Sequence, residues 1–370
     1  MSASAHRRQR ADSPATPIKR RKVEPEETGG TSIPASAAVD SDVGERCKEL
    51  WFEDGSIIVA ARGMAFRVHA SVLALRSDVF KTRLSGAAVG EHAERLEGCP
   101  VLRVKDRGRD LQDLLHVIYD GGRSKWFSRQ PVEYATFRAV TSLAVKYDFH
   151  DIIEEAKYRL SCVFPTDDVN SWDPYLRPDG DGTLIRLDER DCIDLIRIVR
   201  LLGMQIILPL VFYESCNIVP YDAPKGRDYG DGRGPATLKK KDVRTYIQGR
   251  HALIEDCQRG LRVFQELAAD SSTRFSGCTT RSHCQQSFLQ LSLRALDDQL
   301  YACAESIAPM TDWLASHTLD AQARPCTGCL SVLKTLVEAR RAEAWRNLGK
   351  IFSVPQWPAG KDSGVPAAAP

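Results

Sequence analysis

Apolar positions follow two different periods along this chain, and the change between them divides it. Near the start, the β-branched run Ile57-Ile58-Val59 follows the turn pair Asp54-Gly55. Arg62-Gly63 then separates it from Phe66 and Val68, which alternate with polar residues. Alternation on both sides of a glycine turn predicts a β-hairpin, with order beginning at Leu50-Trp51-Phe52. Val72, Leu75, Val79 and Phe80 fall at helical spacing over 71–84, and Val101 to Val104 reads as a third short strand. Leu111, Leu114, Leu115, Ile118 and Tyr119 mark a helix ended by Gly121-Gly122. Val140, Leu143, Ala144 and Tyr147 predict another helix, Ile153, Ala156 and Leu160 the next, and Pro165 closes the block.

Beyond Pro165 the apolar period is helical. Cys192, Leu195, Ile196, Val199 and Leu202 form one stripe, stopped by Gly203. Leu253, Cys257, Leu261 and Phe264 form a second, and Leu289, Leu293, Leu296 and Leu300 a third. Leu333, Leu336, Val337, Trp345 and Leu348 lie along a fourth. Asn217 to Gly234, rich in Gly, Asp and Pro, predicts a mobile loop. The order predicts an α+β block over 47–163 and an all-α region over 164–355. Residues 1–46 hold no aromatic residue and are dominated by Ala, Ser, Pro, Thr and charge, so a disordered arm is expected. The last stretch, 356–370, reads as a low-complexity tail.

Composition removes several classes of function. In 370 residues, 51 Lys and Arg face 49 Asp and Glu, so no bulk field draws in nucleic acid. Mean hydropathy is −0.31, and the most apolar run, Ile206 to Tyr213, is too short for a bilayer and contains Pro209. The opening MSASAHRRQRADSP has no apolar core of a secretory signal. The eleven cysteines are therefore expected as thiols or metal ligands in an intracellular chain, not as disulfides.

The segment LWFEDGSIIVAARGMAFRVHASVLALRSDVF, together with PVLRVKDRGRDLQDLLHVIYDG, resembles the BTB/POZ family over roughly residues 47–163. Asp54 stands at the family's first strand, Phe66 to His69 match its Phe-x-Val-His, and Val72 to Phe80 match the helix after it. Arg200 to Met204 (RLLGM) and the closing pattern from Trp345 to Trp357 are similar to BTB proteins of mushroom-forming fungi. The resemblance implies a BTB/POZ domain followed by a helical region, with Asp54, Phe66 and His69 as residues of the fold. It makes His69 a packing residue at a helix start rather than a ligand or base. It also implies partner recruitment or a homodimer, for which Leu50, Trp51 and Phe52 are candidate exposed contacts. Some members are adaptors of cullin-type ubiquitin ligases through an apolar-x-Glu motif, which Val89-Gly90-Glu91 matches.

Three chemical signals stand apart from the fold. Lys19, Arg20, Arg21 and Lys22 form a basic run in the expected disordered arm, suited to the acidic groove of a nuclear-import receptor. Thr16-Pro17-Ile18-Lys19 fits a proline-directed kinase, whose phosphate would oppose that basic run. Direct nucleic-acid binding is not expected, since no folded DNA-reading motif accompanies the arm. Cys326-Thr327-Gly328-Cys329 resembles a zinc knuckle, and Cys278 and Cys284, with His283 as a substitute, can complete a tetrahedral site. Packing thiols and a redox dithiol are the alternatives. Cys99, Cys162, Cys192 and Cys216 sit in apolar patterns and read as buried thiols. Asp179 to Thr183 lacks the strand a phosphatase nucleophile needs, and Gly230-x-Gly232-x-Gly234 lacks the Gly-Lys-Ser/Thr of a phosphate loop. The expected function is a nuclear protein-interaction module, with a cullin adaptor as the alternative and an enzyme as a distant third.

Overall fold

In the computed structural model of the chain, the residues described are 43–85, 94–172, 184–188, 190–216, 225–230, 232, 234–269, 278, 280–300, 310–318 and 324–357. A five-stranded sheet comes first, and the described residues after it are mostly helical. Strand β1 (Glu45–Trp51) begins ahead of the expected onset at Leu50. β2 (Ile57–Arg62) and β3 (Met64–Val68) form the expected hairpin, with Ala61 opposite Met64. Gly63 takes φ +82° in the two-residue loop, a left-handed conformation that glycine adopts without a Cβ penalty. β4 (Arg95–Leu96) carries no signal in the sequence, while β5 (Cys99–Arg107) extends the expected strand at both ends.

The sheet order is β1-β3-β2-β5-β4. β2 is parallel to β5 and antiparallel to β3, and β1 is parallel to β3. As the central strand, β2 buries both faces. Ile57, Val59 and Ala61 enter the large core, whereas Ile58 and Ala60 join Val43, Ala65, Cys99 and Val101 in a separate cluster. This is the period-two alternation of a strand covered on both sides.

The helix expected over 71–84 is two helices, α1 (Ala70–Arg76) and α2 (Asp78–Ser85). Ser77 divides them: its hydroxyl accepts from the Phe80 amide at 3.0 Å and donates to the Tyr147 carbonyl. Leu75, expected on the apolar stripe, is 86 % exposed, because α1 buries Leu73 and two positions along a helix point to nearly opposite faces. α3 (Gly108–Asp120) buries Leu111, Leu114, Leu115 and Ile118, and α4 (Tyr134–Tyr147) and α5 (His150–Val163) come next, as expected.

The remaining elements are β7 (Ile185–Arg186), α6 (Asp191–Leu201), α7 (Leu208–Cys216), α8 (Lys240–Ala269), α9 (Arg281–Asp297), α10 (Thr311–His317) and α11 (Thr327–Ile351). β7 departs from the all-α expectation, pairing in parallel with β6 (Val132–Glu133). Two residues are too few to show a period. The expected mobile loop is partly anchored: Lys225 bridges Thr237, and the Tyr229 hydroxyl donates to Asp191. Residues 217–224 of that loop, and Asp179 to Thr183, lie outside the described residues.

No break in packing marks the expected boundary at 163/164, since one core runs from Cys47 to Trp357. Arg159, with no exposed surface, ties the two sides together. It donates to the carbonyls of Lys125, Trp126, Gln130 and Leu184 and pairs with Glu155 at 3.2 Å. Trp357, the last of the described residues and expected to open a tail, is buried, and its indole donates to the Trp345 carbonyl at 2.9 Å. A second, smaller core lies between the end of α8, α9, α10 and the start of α11.

The third expected stripe runs the other way. Leu289, Leu293 and Leu296 are 52 %, 60 % and 48 % exposed, and only Leu300 of the four packs against the smaller core. The face of α9 turned inward is Cys284, Ser287, Phe288, Leu291, Ser292 and Ala295. α9 is therefore rotated relative to its leucines, and small side chains let it approach α8.

Candidate metal centre

The smaller core buries Val263, Phe264 and Leu267 of α8, Phe288, Leu291 and Ala295 of α9, Leu314 of α10, and Leu333 and Val337 of α11. Four cysteines close one end of it. Cys284 lies in the first turn of α9 and Cys329 in the first turn of α11, both 2 % exposed. Cys278 precedes α9, and Cys326 is the residue capping α11, with φ −58° and ψ 160°. Both are half-buried.

All four sulfur atoms lie within 4.8 Å of one another. Cys278 Sγ is 3.6 Å from Cys284 Sγ and 3.9 Å from Cys326 Sγ. These spacings bracket the edge of about 3.8 Å that a tetrahedron with metal–sulfur bonds of ~2.3 Å requires. None of the four is in a disulfide. His283, the alternative fourth ligand, turns elsewhere: its Nε2 lies 3.1 Å from the Arg324 carbonyl.

Hydrogen bonds already favour negative sulfur here. The Cys326 amide donates to Cys284 Sγ at 3.3 Å, and the Thr280 hydroxyl lies 3.6 Å from the same sulfur. A hydrogen bond from the Cys329 amide, at the open end of α11, brings the Cys326 thiol down to about 7, and the other thiols assist. Burial acts oppositely on Cys284 and Cys329, raising both thiols above the usual range. A divalent cation is the natural answer to four crowded thiols, because it displaces their protons and balances the charge that burial disfavours. Four sulfur ligands leave no open position for water or substrate, so the donor set suits a soft structural ion rather than a catalytic one. Thr280 is the member of this arrangement that motif spacing missed. A threonine directly before an apolar-patterned helix is the signal that could have found it.

The other expected sites lie away from this cluster. Asp54 and His69 meet at 3.2 Å, and Phe66 is fully buried. His69 caps α1, its amide donates to the Tyr119 hydroxyl at 2.8 Å, and its Nδ1 lies 3.1 Å from the same oxygen. With the hydroxyl proton directed to Nδ1, the Nε2 proton faces Asp54, and every polar atom of the ring is used within the fold. The His69 hydrogen bond holds the Asp54 carboxyl below its usual range. Leu50, expected as an exposed contact, is 2 % exposed: with Cys47, three positions earlier on the irregular strand β1, it packs into the larger core. Trp51 lies under the Arg46 guanidinium at 4.8 Å, and Phe52 stacks on Tyr119 at 4.8 Å. Cys99, Cys192 and Cys216 are buried as expected, but Cys162 is exposed on the outer face of α5. Val89 and Glu91 lie outside the described residues, as do Lys19, Arg20, Arg21 and Lys22. Among the described residues, no helix is long and apolar enough to cross a membrane.

Comparison of the chain with family models, with curated proteins and with solved structures finds no match.

Proposed function

We propose that the chain is a protein–protein interaction module of BTB/POZ type, without catalytic activity, whose helical half is stiffened by one structural zinc ion. The observation that carries the interaction reading is the element order of the first block: a hairpin, a helix pair split at Ser77, a strand, then helices α3 to α5. The linkage of Asp54, His69 and Tyr119 supports it, giving a histidine at a helix start a purely internal role. Zinc is supported by the four converging thiols, with Cys278, Cys284, Cys326 and Cys329 as its ligands. When bound, the ion supplies cross-linking alone, tying the approach to α9 to the start of α11.

In this reading the partners are proteins: an import receptor for Lys19 to Lys22, a target, and a second copy of the chain. The location is the nucleus. Sedimentation equilibrium of the full chain tests self-association. A concentration-dependent dimer is expected, and a monomer at high micromolar concentration overturns the homodimer. Replacing Lys19, Arg20, Arg21 and Lys22 by Ala is expected to leave a tagged protein in the cytoplasm. A protein that stays nuclear overturns the import assignment. The adaptor reading has one specific support, Val89 and Glu91 at the place of the family's cullin motif. Co-purification of a cullin that Glu91→Ala abolishes would favour it over general recruitment.

A further inference from the structure

We propose that the four-cysteine centre is also an oxidation switch, in which hydrogen peroxide joins Cys278 to Cys326 and the metal is released. This rests on the zinc reading and adds the regulation of that site.

The four thiols are unequal. Cys284 and Cys329 are buried within the first turns of α9 and α11, so their backbones are held by helix hydrogen bonds. Cys278 and Cys326 are half-buried and outside the helices, one before the cap of α9 and the other at the cap of α11. Oxidant therefore reaches this pair first. Their sulfurs are 3.9 Å apart, so a disulfide of ~2.05 Å needs an approach of about 2 Å, taken up mainly at Cys278, which lies outside any helix, while Cys326 stays at the cap of α11. Cys278 and Cys284 are slightly nearer at 3.6 Å, but Cys284 is buried, and hydrogen bonds from the Cys326 amide and Thr280 hold its sulfur.

The chemistry balances with peroxide as the only co-reactant. The Cys326 thiolate attacks one peroxide oxygen and the O–O bond breaks. A sulfenic acid forms, and the departing hydroxide takes a proton to become water. The Cys278 thiolate then attacks that sulfur, the S–O bond breaks, and a second hydroxide leaves and is protonated. Two thiolates lose two electrons, peroxide becomes two waters, and two protons are consumed. Zinc has no redox chemistry of its own and keeps only Cys284 and Cys329, half of a tetrahedral set, so it passes to solvent. The new bond ties the same two segments that the metal tied. The switch exchanges one clip for another and leaves the smaller core closed.

The test uses full-length protein purified reduced and loaded with zinc, then titrated with hydrogen peroxide beside a chromogenic zinc chelator. Tandem mass spectrometry of tryptic peptides then locates the bonds. Cys278 leaves on the fragment Phe275–Arg281, and fragmentation separates Cys326 from Cys329. The exposed Cys162 serves as an internal standard for oxidant delivered. One zinc released per chain is expected, together with a Cys278–Cys326 disulfide, and dithiothreitol plus zinc should reverse both. Zinc retained after Cys162 is oxidised overturns the switch. So does release with a Cys278–Cys284 or Cys284–Cys329 bond, or with sulfinic acids alone. Those results leave the zinc reading standing, whereas a protein that takes up no zinc overturns both.

Discussion

The larger core, from Cys47 to Trp357, is filled with rings: Trp126 stacks on Phe137 with centroids 5.7 Å apart, and Phe212 on Phe352 at 5.4 Å. Among the described residues, the smaller buries eleven side chains between Val263 and Val337, only two of them phenylalanines, and Cys284 and Cys329 of that set belong to the four thiols at one end. A sheet flanked by helices offers two broad surfaces on which large side chains interlock. A few helix ends offer much less apolar area, and each end leaves backbone groups without helical partners. In the smaller core the cysteines meet both needs. They pack as small apolar groups, accept hydrogen bonds from the amides of Cys326 and Cys329, and converge where one cation can join them.

This contrast can be broken first at Arg159, a charge fully buried against the larger core. Arg159→Ala should destabilise the protein by about 3–5 kcal/mol in urea denaturation, since four carbonyls lose their donor and Glu155 keeps only the longer pair with Arg129. A loss under ~1 kcal/mol would mean that the guanidinium does not join the two halves. Next, a Cβ at Gly249 of α8 would lie 2.1 Å from the Phe352 ring, so Gly249→Ala should cost about 1–3 kcal/mol by overpacking. Chelators should not change that cost, because it falls in the ring-filled core.

A smaller effect has a defined pH dependence. Burial, and then the charge of Asp110, push the Asp113 carboxyl on α3 up to about 6. A carboxyl raised in the folded state favours folding below its usual pKa and loses that contribution as pH rises through the folded value. Asp113→Asn should therefore stabilise the protein at neutral pH by about 1 kcal/mol, after allowing for screening at a part-exposed site. The gain should fade below about pH 4. Thermal melts across that range check it, and a gain that grows on acidification would contradict the assignment. Smallest of all, Leu289→Gln and Leu293→Gln should each fall within about 0.5 kcal/mol of the parent, because both side chains already face solvent. A loss above ~2 kcal/mol would place them in a core after all.

Those two leucines also show where sequence reading fails. Leu289, Leu293 and Leu296 have the spacing of a buried helical face, and period alone cannot distinguish them from the face at Cys284, Phe288 and Leu291. Packing decides between the faces, and close approach to Phe264 and Leu333 favours small inward residues such as Ser287 and Ala295. The hairpin, α3, α4 and α6 were legible because long runs repeat one period against clear turns. Strands β4, β6 and β7 were not, since two residues carry no period. The cysteine site was legible because C-x-x-C at a helix start fixes two ligands locally and the second pair lies just before another helix. The choice of Cys284 over His283 needed the structure: adjacent positions on a helix point about 100° apart, and only one faces the cluster.

If Cys278, Cys284, Cys326 and Cys329 hold one ion that closes the smaller core, metal and fold must be lost together. Elemental analysis of reduced full-length protein, paired with cobalt substitution, tests it most directly. One zinc per chain is expected, replaced by cobalt with the absorption of a tetrahedral tetrathiolate, and Cys326→Ser should lose both. Metal-free protein whose smaller core melts as it did before chelation would contradict the claim and leave the four cysteines as packing residues.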